Sequence, residues 1–428
     1  MTAAIGLLTV FLLIMARVPV GVAMLGVGFV GFATVTGLRP ASFMTAQTVF
    51  ATVNSYSFSV LPLFLLMGNL INRSRISTEL YDAAHACFGH FRGGLAQATI
   101  VACGGLAAIS GSSMATTASM GRVAYPSMRR YGYADILSAG SIAAGGTLGI
   151  LIPPSVVLLV YAILTDTSIS RLFIAGIVPG VIAVLLYMLT IAAIARLRPD
   201  WGPAAAQPER GTRRRAVLRV WPVLTLFLVV MGGIYLGVFT PTEAAGIGAL
   251  GALLFALARR ALNWRGLFDT LVETAVTSAM IFFVIIGAMV LGNFLNIAGL
   301  PRMLRTTIEA LDLSPMQVLI VICLIYVALG MVLESMSMVL LTVPILFPVV
   351  TALGFDPIWF GILIVMVVEL ALVTPPIGLN IYILRSVLPH LSLRTLFGGV
   401  LLFIIPDFLK LALIIAFPGL VLWLPSLM

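Results

Sequence analysis

The chain has 428 residues, of which 61% are hydrophobic and only 9% charged, and its mean hydropathy is +1.16. Soluble domains are about 45–50% apolar and about 25% charged, so this chain has too little polar surface to be a soluble protein. Its apolar runs are long and unbroken, which excludes a transmembrane β-barrel of short alternating strands and leaves an all-α polytopic membrane protein.

In chain order, about ten spans are expected, near 2–16, 20–36, 55–72, 134–165, 168–195, 221–238, 243–258, 270–297, 357–388 and 395–424. The N-terminus has no basic n-region and reads as a first span, not a cleaved signal peptide. Residues 39–55 and 73–92 mix polar and apolar positions, as arm helices along the membrane interface do. Their counterparts lie near 263–273 and 301–314. Two further apolar segments, 93–127 and 315–350, break at Ser110-Gly111-Ser112-Ser113 and at Glu334-Ser335-Met336-Ser337. Their arms of ~14–18 residues are short for full spans, so both are read as re-entrant hairpins.

The two halves repeat each other. A shift of 222 residues lays Pro19 on Pro241, Pro126 on Pro348 and Pro153-Pro154 on Pro375-Pro376. Gly68-Asn69 to Asn72 matches Gly292-Asn293 to Asn296 at a shift of 224. The first repeat is placed at 1–195 and the second at 220–428. Between them, 196–219 carries seven arginines and three prolines and reads as a solvated cytoplasmic linker. With that linker inside, eighteen arginines fall inside, Arg75 among them, and four outside. The net charge of +9 then reflects positive inner loops, not a nucleic-acid partner. Both termini fall outside, and the halves have opposite topology. Inverted repeats with broken helices mark secondary transporters.

The chemistry points to the breaks. Pro153-Pro154 and Pro375-Pro376 each remove two backbone donors in mid-membrane and leave carbonyls unpaired. Bare carbonyls at that depth face protein or a wet cavity and suit a desolvated cation such as Na⁺; a packing kink is the plainer alternative. Ser112 precedes Pro153 by 41 positions, and Glu334 precedes Pro375 by 41. Each half thus pairs one hairpin tip with one break. The tip at Gly111-Ser112-Ser113 also offers helix-start N–H groups to an anion, although such a sequence also makes a simple tight turn.

Other charges are read singly. Glu334 at a hairpin tip is a functional candidate. Glu369, aligned with Thr147, would order the second break or touch an ion. Asp407 and Lys410, three apart, read as a structural pair. Arg122 suits a helix-end role, and Glu243 a helix start. Cys87, Cys103 and Cys323 read as small core residues, not a metal or disulfide set. Met331, Met336 and Met338 read as apolar packing.

GSSMATTA (111–118), GTLGILIPPSVVLLVY (146–161), TPTEAAG (240–246) and TPPIGLN (374–380), in this order, resemble the large membrane subunit of tripartite ATP-independent periplasmic (TRAP) transporters. The likeness covers essentially the whole chain. It implies an ion-transporter-type fold with a scaffold and a mobile domain, moving as an elevator and driven by Na⁺. It implies two partners in the bacterial inner membrane system: a small four-helix membrane subunit, expected here as a separate chain, and a soluble periplasmic substrate-binding protein. By position, it implies one Na⁺ site at Gly111, Ser112, Ser113, Gly145, Gly149 and Pro153. A second Na⁺ site would use Glu334, Ser335, Thr374 and Gly378, with the substrate near Ser112, Asn380 and Tyr161. No cofactor is implied beyond the coupling Na⁺. The organic acid itself is not identified.

A stand-alone Na⁺-coupled carboxylate symporter of the same fold is the nearest rival, and a passive channel a weaker one. An intramembrane serine enzyme is disfavoured, because no histidine lies near Ser112 or Ser113 and GxSxG is missing. No ATP-binding fingerprint is present.

Overall fold

The structure, a computed structural model, describes residues 2–74, 76–205, 210–375 and 378–428. Arg75, Pro208, Pro376 and Ile377, named above, lie outside the described residues. The described chain is helical. The first half runs α1 (Thr2–Met15), α2 (Val20–Thr36), α3 (Leu38–Asn54), α4 (Val60–Arg73), α5 (Ile76–Phe88), α6 (Gly94–Ser110), α7 (Ser113–Arg130), α8 (Asp135–Leu151), α9 (Val156–Thr165) and α10 (Ile169–Leu197). A short helix, α11 (Arg210–Arg219), follows. The second half runs α12 (Trp221–Tyr235), α13 (Pro241–Ala258), α14 (Trp264–Ile297), α15 (Leu300–Ala310), α16 (Pro315–Gly330), α17 (Ser335–Ala352), α18 (Pro357–Val373), α19 (Leu379–Val387), α20 (Leu393–Ala416) and α21 (Gly419–Leu422).

Six segments among the described residues are long and apolar enough to cross a bilayer: 135–165, 169–197, 241–258, 264–297, 335–352 and 393–416. Two bent pairs, 38–73 and 213–235, raise this to eight. Five shorter helices among the described residues, α1, α2, α6, α16 and α18, are also apolar. Helix starts follow local chemistry. Thr240 and Glu243 form a reciprocal cap at α13, and Ser314 and Gln317 do the same at α16.

Three expected elements differ. Residues 263–273 are not a separate arm: Asn263 caps Gly266 N at 2.7 Å, and α14 runs unbroken to Ile297. The linker 196–219 is not simply solvated. Gly93 N donates to Gly202 O and Ala205 N to Gly89 O, because the chain ends of α5 and α6 leave backbone groups that the linker satisfies. The last span stops at Ala416, before Phe417-Pro418, since the residue before a proline leaves the helical region.

Packing divides into two bodies of helices. The small-residue helix α2 lies along α14, and its repeat counterpart α13 lies along α4. Each half therefore docks its glycine-rich helix onto the other half. Asn69 Nδ2 donates to Thr274 Oγ1 at 3.0 Å, and Asn293 Nδ2 to Thr48 Oγ1 at 3.5 Å, so both repeated Gly-Asn segments bond across the halves. The other body centres on α8 and α18, which touch each other and are buried along most of their length. Small residues in α8 let α6, α7 and α20 approach closely. Apart from Glu369, the helix α18 is apolar on all sides, as suits a central helix.

Candidate functional site

The two hairpin tips are built by helix caps. Gly111 turns the chain at φ +61°, a left-handed conformation that favours glycine. Ser112 then caps α7, its Oγ accepting from Ala115 N at 3.3 Å. At the second tip, Glu334 caps α17: Oε1 accepts from Met336 N at 3.2 Å and Oε2 from Ser337 Oγ at 3.3 Å.

The breaks leave a defined set of carbonyls. Pro153 supplies no N–H to Gly149 O, and Pro154 supplies none to Ile150 O. Ser155 partly compensates: its Oγ donates to Ile150 O at 2.6 Å and accepts from Leu158 N at 3.4 Å. At the second break, Thr374 Oγ1 donates to Leu370 O at 2.6 Å, and Gly378 opens α19 at φ +54°. The peptide bond Pro153-Pro154 is cis.

The first tip rests on the first break. A Cβ placed on Gly149 would lie 2.5 Å from Ser112 O, and one on Gly111 would lie 2.7 Å from Pro154 O. Only glycine allows these backbones to meet. The first tip also reaches the second break: Ser113 Oγ accepts from Asn380 Nδ2 at 2.7 Å and donates to Asn380 Oδ1 at 3.0 Å.

Both tips open on one cavity of about 580 Å³. Gly111 to Met114 and Glu334 to Ser337 line it, with Ile150, Val156, Leu372 and Leu379 beside the breaks. The opposite wall comes from the start of α2 and from Thr277 to Val284 of α14. The first residues of α7, α9 and α17 face this space, and the N-terminus of a helix carries partial positive charge. Glu334 is the one charged side chain among the described lining residues.

Of the residues singled out in the sequence, Gly111, Ser112, Ser113, Glu334 and Ser335 line the cavity. Gly149 stands behind the first tip, and Pro153 lies towards Gly176 of α10. Asn380 is buried and joined to Ser113. Gly145 sits one turn further along α8, against Cys103 of α6. Thr374 and Gly378 bound the second break. Tyr161 stands apart: it is fully buried, donates its hydroxyl to Pro357 O at 2.7 Å and does not line the cavity, so its polar group is already satisfied by packing. Sequence reasoning missed the α2 and α14 wall. It also missed the partner of Glu369, which is Lys410 at 2.7 Å. The Asp407–Lys410 contact is present at 3.1 Å.

A family model described as "Tripartite ATP-independent periplasmic transporter, DctM component" matches residues 7–420. The C4-dicarboxylate TRAP transporter large permease protein DctM of Pseudomonas aeruginosa is 38% identical over 364 residues, 84% of each chain. The sialic acid TRAP transporter large permease protein SiaM of Vibrio cholerae is 32% identical over 417 residues, 97% of this chain and 96% of that one. Among solved structures, the YdaH transporter of Alcanivorax borkumensis aligns over 90% of both chains with a TM-score of 0.63 at 16% identity, which shows a common fold. A polytopic helical chain with paired tips and breaks, matched nearly end to end, belongs to the DctM family of large permease subunits of tripartite ATP-independent periplasmic transporters.

Proposed function

We propose that this chain takes up a small organic acid across the bacterial inner membrane, driven by Na⁺, as the permease of a three-part system. The observation that carries this reading is the convergence of two hairpin tips and two proline breaks on one cavity. The relatives named for C4-dicarboxylates and for sialic acid support an acidic substrate. An anion in the cavity would meet the N–H groups at the starts of α7, α9 and α17, not a lysine or arginine.

Coupling Na⁺ would be held by hard oxygen donors. The Gly149 carbonyl, left without a helical donor by Pro153, and the first tip, whose Ser112 backbone meets α8 at Gly149, would offer such donors at the first break, and Glu334 at the second. The carboxylate of Glu334 then compensates the cation, so that cation and anion load together. The body formed by α6 to α9 and α16 to α19 would move past the wall of α2, α4 and α14, as an elevator between inverted repeats 1–195 and 220–428. A small membrane subunit would brace that wall. A periplasmic binding protein would deliver substrate, since the cavity itself has few groups that discriminate among acids.

The test is uptake into proteoliposomes that contain this chain, the small subunit and substrate-loaded binding protein. Uptake should follow an inward Na⁺ gradient and vanish when K⁺ replaces Na⁺. Unchanged uptake in K⁺ overturns the coupling. Robust Na⁺-driven uptake of free substrate by this chain alone favours the stand-alone symporter.

A further inference from the structure

A charged cluster lies in the core, away from the cavity. Glu369 of α18 is 0% exposed, and Asp407 and Lys410 of α20 are 2% and 1% exposed. Lys410 Nζ sits 2.7 Å from Glu369 Oε2 and 3.1 Å from Asp407 Oδ1. Tyr187 of α10 donates its hydroxyl to the same Asp407 oxygen at 2.5 Å, and its ring lies 5.5 Å from the ammonium. Glu369 Oε1 is buried with no hydrogen-bond partner among the described residues.

The charges do not balance. Two carboxylates against one ammonium leave one negative charge in excess. An uncompensated charge at membrane depth is too costly to persist, and the group neutralises instead. A metal ion would have to share these oxygens with an ammonium already seated between them, and the two cations would repel. A proton adds a positive charge without needing that space. Asp407 Oδ1 has the Tyr187 hydroxyl and the ammonium beside it, whereas Glu369 has the ammonium at Oε2 and keeps a bare Oε1. An unpaired hydroxyl is cheaper to bury than an unpaired anionic oxygen, so the proton belongs on Glu369.

Nothing else facing Glu369 competes for that role. Among the helices packed on α18, α17 carries no charged residue, and Asp135 stands at the start of α8. Tyr161 of α9 and Tyr326 of α16 bond to Pro357 O and Thr342 Oγ1. Arg385 of α19 lies in its last turn, and Arg171 and Arg196 lie near the two ends of α10. Tyr187, Asp407 and Lys410 are the titratable groups around it.

We propose that this cluster binds one exchangeable proton, on Glu369, and that its occupancy sets how α18 is held before the second break. With the proton, Glu369 gives Lys410 a neutral acceptor; without it, an ion pair in an over-negative cluster. The next residue, Leu370, accepts the Thr374 hydroxyl through its carbonyl, so a shift of Glu369 reaches the break within one turn. Transport then responds to pH through a group outside the cavity.

Infrared titration of the full-length chain in lipid reads the proton directly and does not depend on any coupling ion. The wild type should show a buried carboxylic-acid C=O band at neutral pH that E369Q loses, that E369D shifts in frequency and that D407E leaves in place. Absence of the band at neutral pH, or its survival in E369Q, overturns the assignment. A band that shifts in D407E and not in E369D moves the proton to Asp407 and overturns it equally. In uptake assays, E369Q mimics the protonated acid and should behave at every pH as the wild type does at the acid end. A wild-type pH response in E369Q overturns the link to transport. Should E369Q fail to fold, the bands of the wild type, E369D and D407E still decide the matter.

Discussion

Gly149 offers a sharp test of the contact between the first hairpin tip and the first break. A Cβ added there would lie 2.5 Å from Ser112 O, 2.7 Å from Ser112 C and 2.9 Å from Ser113 N. All three are backbone atoms, so no rotamer change relieves the clash. Ordinary contact begins at 3.4 Å, so the tip and α8 must part by about 0.9 Å in Gly149→Ala. Such overpacking costs about 1–3 kcal/mol, partly offset in overall stability by the better helix propensity of alanine, about 1 kcal/mol. The chain should therefore fold, with the loss concentrated where the Gly149 carbonyl and the Ser112 backbone would share a cation. Read as Na⁺ affinity, about 1–3 kcal/mol is roughly a 5- to 150-fold rise in the Na⁺ needed for half-maximal uptake. The assay is three-component uptake against Na⁺ concentration, with thermal unfolding in parallel. Gly398→Ala is the control, since a Cβ there meets nothing within 4 Å. Wild-type Na⁺ dependence in Gly149→Ala would refute the tip-on-break site.

Two substitutions probe the charged residues. Glu334→Gln retains one acceptor for the bonds from Met336 N and Ser337 Oγ, so α17 keeps its start while the charge is lost. The Na⁺ requirement should rise at least about tenfold, or ~1.4 kcal/mol of coupling; a wild-type requirement and rate would remove Glu334 from the site. Lys410→Met strands Asp407 in the core, and breaking a buried pair in this way costs about 3–5 kcal/mol. The melting temperature should fall clearly and recover in part in Lys410→Met/Asp407→Asn; an unchanged melting temperature in the single variant would show that the cluster contributes little.

Much was legible in the sequence because its causes are local. Hydropathy over a span reflects the solvent that each segment meets. A proline breaks its own helix, so Pro153-Pro154 announced an interruption wherever the segment was to fold. The caps at Ser112 and Glu334 lie within three positions of the groups they bond. The arrangement around those elements is not local. Ser113 meets Asn380 across 267 positions, and Lys410 meets Glu369 across 41. No periodicity in either segment specifies such a partner. Tyr161 shows the converse: the family resemblance implied a role at the substrate, yet a carbonyl of α18 took its hydroxyl. The wall of α2 and α14 became part of the cavity only because small residues let those helices lie close. Where each segment enters the membrane and where it breaks was set by the chain's own composition. Which tip meets which break, and which carboxylate is left without a partner, were decided by tertiary packing, since buried polar groups bond whatever the fold brings within reach.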